Sequence, residues 1–109
     1  GTEYDFLMTV ETLGGDADSL NINIIKDVPD DWSASVCTEG GCLMPWITFT
    51  QIWVEPGVLD TVTVDFFTST TPAQGTITLE MWLNGCPEDV QSITFYAQTF
   101  GEGVAAVSP

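Results

Sequence analysis

Cys37 and Cys42 enclose Thr38-Glu39-Gly40-Gly41, and Cys86 stands far from both. Three thiols and sixteen acidic side chains are the groups in this chain with chemistry to offer. The close pair admits four readings. Structural zinc takes four Cys or His ligands, usually as two close pairs, and here a single pair faces no histidine at all. A redox pair needs Cys-x-x-Cys in a βαβ setting, and neither is present. A nucleophilic thiol needs a base beside it, and the absence of histidine removes the usual one. A short-loop disulfide is the expectation, because Glu39-Gly40-Gly41 has the freedom a tight reversal requires and neighbouring strand ends lie within disulfide reach. Cys86, in Asn84-Gly85-Cys86-Pro87, is then left over. A buried free thiol is expected there; an intermolecular bridge or re-pairing with Cys37 or Cys42 are the alternatives.

The acids read in three ways. Ca²⁺ prefers carboxylate and carbonyl oxygens, and Asp16 with Asp18, or Asp30 with Asp31, are the candidate ligands. Neither pair fits an EF-hand loop. Two carboxylates facing each other across a cleft could cleave a glycoside, but sequence does not pair them and the domain is small for such a cleft. A solvated acidic surface is the plainer expectation, with no cofactor and no catalysis.

Trp32, Trp46, Trp53 and Trp82 offer flat rings to a carbohydrate or peptide ligand, or to the core and an interface. By alternation Trp82 leaves the face opposite Ile77, Leu79 and Met81, and Trp53 shares a face with Phe49.

What must position these groups is a set of strands. Tyr4, Phe6, Met8 and Val10 alternate with more polar neighbours, as do Leu20, Ile22 and Ile24, then Val62, Val64 and Phe66, then Ile77, Leu79 and Met81, then Ile93, Phe95 and Ala97. A period of two marks half-buried strands, and no window carries a period of 3.6. Turn residues separate the runs at Gly14–Asp16, Val28–Asp31, Thr38–Gly41, Glu55–Gly57, Thr71–Gly75 and Asn84–Pro87. Seven strands are predicted, at about 3–13, 19–26, 32–37, 46–54, 60–68, 75–83 and 90–100. Their spacing predicts an all-β fold, an antiparallel sandwich, as one domain over 1–100 with a tail or linker over 101–109. The chain's 109 residues suit a single domain.

Composition excludes several functions. One basic residue, Lys26, against sixteen acids gives a formal charge of -15. Such a surface repels nucleic acid and anionic membranes and lacks a phosphate clamp. No run of about 18 apolar residues offers membrane insertion. The abrupt ends read as cuts, in keeping with a piece of a longer precursor or a mature secreted subunit.

The stretches "NIIKDVPDDWSASVCTEGGCL" and "VEPGVLDTVTVDFFTSTTPAQGTITLEMW" resemble Ig-like accessory modules of secreted multidomain bacterial proteins, which often precede a C-terminal sorting segment. Pro29, Trp32, Cys37, Cys42, Pro56, Gly57, Pro72 and Gly75 carry the likeness, within residues 4–97. Cys86 lies outside the pattern. The resemblance implies an Ig-like sandwich acting as an extracellular or cell-surface spacer or interaction module without catalytic residues. Its partners would be other domains of a precursor or copies of itself. Two further readings stand beside it. One is a filament subunit whose first strand, Tyr4–Leu13, adds to a neighbour's sheet. The other is a carbohydrate- or calcium-binding module attached to an enzyme.

Overall fold

A computed structural model describes residues 3–12 and 15–100, and residues 105–108 by their backbone. Nine strands are present among the described residues: β1 (Glu3–Val10), β2 (Asp18–Asp27), β3 (Ser33–Thr38), β4 (Gly41–Cys42), β5 (Phe49–Val54), β6 (Asp60–Phe67), β7 (Ala73–Leu83), β8 (Gln91–Thr99) and β9 (Ala105–Ser108). All pairings are antiparallel. One sheet runs β1-β6-β3-β4 and the other β5-β2-β7-β8-β9. The fold is therefore an all-β antiparallel sandwich.

Alternation builds the core. Tyr4, Phe6, Met8 and Val10 of β1 turn inward beside Val62, Val64 and Phe66 of β6. From the other sheet come Leu20, Ile22 and Ile24 of β2, with Ile77 and Leu79 of the adjacent β7. Phe66 is fully buried, with Phe6 and Trp32 edge-on to it at 6.3 Å each. Edge-to-face contacts suit the ring quadrupole.

The chain crosses between sheets at most connections, so β2 and β6 pair on both sides with strands distant in sequence. Two crossings depend on particular residues. At Glu55-Pro56-Gly57 the chain leaves β5 for β6; Gly57 holds φ +79°, a left-handed conformation natural to glycine. At Gly75, inside β7, an added Cβ would lie 2.9 Å from Val28 and 3.0 Å from Trp32. That glycine makes room for the Trp32 ring.

Several sequence expectations shift. Two short strands, β4 and β9, leave no period-two signal in the sequence. β4 is too brief for its alternation to be read. Ala105–Ser108, expected within a tail or linker, pairs with β8. The first strand, expected to reach residue 13, ends at Val10, and residues 13–14 lie outside the described residues, as do 101–104 and 109 of the expected tail. Trp46 does not begin β5; it lies in a turn closed by Ile47 N–H to the Met44 carbonyl, 3.0 Å. β1 pairs along its length with β6 and is the terminal strand of its sheet.

Candidate aromatic face

The disulfide is present between Cys37 and Cys42, which sit directly opposite each other in the β3–β4 hairpin with Cα atoms 3.9 Å apart. Glu39 and Gly40 form its two-residue loop, and Gly41 takes φ +123°, which disfavours any side chain. Gly40 N–H donates to Thr38 Oγ1 at 3.2 Å. Cys86 is unpaired but exposed, not buried. Its loop turns at the sheet end, with Cys86 N–H bonded to the Leu83 carbonyl at 3.1 Å. Asp18 holds this loop: its carboxylate accepts from Ser19 N–H at 2.7 Å and Gly85 N–H at 2.8 Å.

Asp18 is thus engaged with backbone. None of Asp16, Asp18, Asp30 and Asp31 belongs to a group of three convergent ligands among the described residues. Carboxylates do converge elsewhere: Glu3 and Asp5 of β1 stand beside Asp65 of β6 on the outer face of the four-stranded sheet. Asp65 is only 8% exposed. Burial, then a hydrogen bond with Asp5 and the charges of Asp5 and Glu3, push its carboxyl up to about 7. Its Oδ2 lies 3.3 Å from Cys37 Sγ, a packing contact, since a bridged sulfur has no proton to give. The sequence hid this pair, because β1 and β6 meet only in the fold.

The tryptophans divide. Trp32 is 6% exposed and belongs to the core, so it is unavailable to a ligand. Trp46 is 73% exposed in its turn. Trp53 (61% exposed) and Phe49 (45% exposed) leave the outer face of the five-stranded sheet, being alternate residues of edge strand β5. Trp82 of β7 joins them, its ring 6.3 Å from Phe49. Between the rings lie amides. Gln51 Nε2 donates to Asn21 Oδ1 at 2.6 Å; Asn21 Nδ2 donates to Asn84 Oδ1 at 2.7 Å and to the Trp82 carbonyl at 3.2 Å. Asn23 Nδ2 donates to Glu80 Oε1 at 3.0 Å. Alternation in β2 already turns Asn21 and Asn23 to one face. That this face also carries Gln51 and Trp82 follows from the pairing of β2 with β5 and β7.

The same face continues over β8 with Ser92, Thr94 and Tyr96. Thr78 and Thr94 hydroxyls meet at 2.9 Å, and the Tyr96 hydroxyl bridges Gln74 and Gln98. Among the outward positions of β2, β5, β7 and β8, only Asp27 and Glu80 are charged. Beside Trp53 a hollow of about 280 Å³ opens between β5 and the stapled hairpin, walled by Glu39, Gly40, Asp60 and Thr61. Burial and the neighbouring Glu39 and Glu55 raise the Asp60 carboxyl, and its Oδ2 is buried without a hydrogen-bond partner among the described residues.

No family model matches the chain, and neither does any curated protein. Among solved structures the chain is similar to one described as the N-terminal domain of PorA, with a TM-score of 0.73 and 16% identity. The likeness covers 93% of this chain and 78% of that one. At that identity it shows a shared fold.

Proposed function

We propose that this chain is a non-catalytic interaction module of an extracellular protein, and that the outer face of its five-stranded sheet is the contact surface. The observation that carries this is the exposure of Trp53 and Phe49 beside Trp82 on a sheet face nearly free of charge. Leaving large apolar rings in water forfeits roughly 1.5–3 kcal/mol each, so clustered exposure points to a partner that covers them.

Other features support the reading. A disulfide suits an oxidising, extracellular compartment. The chain has no histidine, and its one lysine, Lys26, donates to the Pro45 carbonyl. Histidine, the commonest general acid–base group, is therefore absent. The similar PorA domain is consistent with a module of this architecture.

Co-sedimentation tests it. The labelled chain is mixed with insoluble extracellular material from cultures of its own organism. Wild type should leave the supernatant, and a Phe49→Ala/Trp53→Ala chain with unchanged melting should remain in it. Equal behaviour of the two chains would sink the proposal.

A further inference from the structure

We propose that the partner of this face is a neutral polysaccharide, laid across β5, β2 and β7 with its sugar rings on Phe49, Trp53 and Trp82. The inference rests on the preceding reading of the face as a contact surface and names what covers it.

The first argument is the order of groups. Phe49 and Trp53 lie four residues apart on one edge of the sheet, about 13 Å along an extended strand. Gln51 stands between them on the same face. Its Nε2 is used by Asn21, leaving its amide oxygen without a partner among the described residues. A sugar ring has one apolar C–H face and a rim of hydroxyls. Aromatic rings separated by an amide meet both parts at once. A purely apolar protein surface would cover the rings but strand the Gln51 amide oxygen without a hydrogen bond, at a cost in affinity.

The second argument is charge. A chain with a formal charge of -15 shows only Asp27 and Glu80 on the outward positions of β2, β5, β7 and β8, and no cation. The opposite outer face carries Glu3, Asp5 and Asp65. A cationic partner would be drawn to that acidic side, and an anionic glycan would be repelled by the molecule as a whole. An uncharged, hydroxyl-rich ligand fits the charge-poor face.

The third argument is preorganisation. The hydrogen bonds linking Gln51, Asn21 and Asn84, and those linking Asn23 to Glu80, fix the amides on strands whose backbones are already paired. Little side-chain freedom is then lost on binding.

Affinity electrophoresis through gels containing mixed-linkage β-glucan, xyloglucan, xylan, galactomannan or dextran tests the proposal, with tryptophan fluorescence titration using oligosaccharides of the retarding polymer. At least one gel should retard the chain. Trp53→Ala and Phe49→Ala should each weaken binding by about tenfold or more. Trp53→Phe should keep part of it, and Leu7→Ala, on the other sheet, should change nothing. The variants' melting curves report folding. Absence of retardation in every gel, or retardation unchanged in Trp53→Ala, would overturn the glycan assignment. Face-dependent co-sedimentation that persists with no gel retardation would overturn the glycan alone. Loss of both would overturn the contact surface as well.

Discussion

Asp65 faces Asp5 across the β1–β6 pair and feels Glu3 beyond it, all three acidic and on one surface. Its carboxyl, raised from the ordinary 3.8 to about 7, keeps its proton in the folded chain at pH values where the unfolded chain has lost it. The stabilisation is then full below about pH 4 and lost as pH rises through about 7. Thermal unfolding followed by circular dichroism should show greater stability at pH 5 than at pH 8, by on the order of 1–2 kcal/mol. Asp65→Asn should flatten that dependence; a slope unchanged in the variant would remove Asp65 as its source. Cys86 makes a second residue-scale prediction. Iodoacetamide should label one thiol per chain without denaturant, and mass spectrometry should place it on Cys86 with Cys37 and Cys42 still joined. Labelling that needs unfolding would contradict its exposed position.

Hairpins and strands depend on a few glycines. Gly75 lies inside β7, where sequence reasoning marks only the start of a strand, because Trp32 packs over it from the turn after Pro29. Gly75→Ala should displace that ring and destabilise the chain by about 1–3 kcal/mol in urea unfolding. A neutral effect would mean that Trp32 yields without cost. The β3–β4 hairpin was legible because Glu39-Gly40-Gly41 between two cysteines encodes a stapled reversal. The start of β5 was not. Trp46 and Ile47 extend the apolar pattern of β5, yet the chain needs those residues to turn from one sheet to the other. β9 escaped notice for a related reason, since small residues in Ala105–Ser108 acquire a strand only by pairing with the edge of β8.

Over the whole molecule, sixteen acids against one lysine produce self-repulsion that the compact state feels more than the unfolded chain. Added NaCl should raise the melting temperature between low and physiological ionic strength by screening it, and a midpoint that falls would contradict this account. The sequence by itself determined the β class, the approximate strands, the stapled loop and the acidity, because each follows from alternation, turn chemistry or composition. It also turned Trp53 and Phe49 to a common side, since a strand's period of two is local. Only the tertiary structure decided that Trp32 is core, that Asp5 and Asp65 share a surface, and that Phe49, Trp53 and Trp82 stand around Asn21 and Gln51 on a charge-poor face. The physical reason is that strand pairing joins residues distant in the chain. Alternation fixes which way a side chain points, but the partner strand fixes what it stands beside.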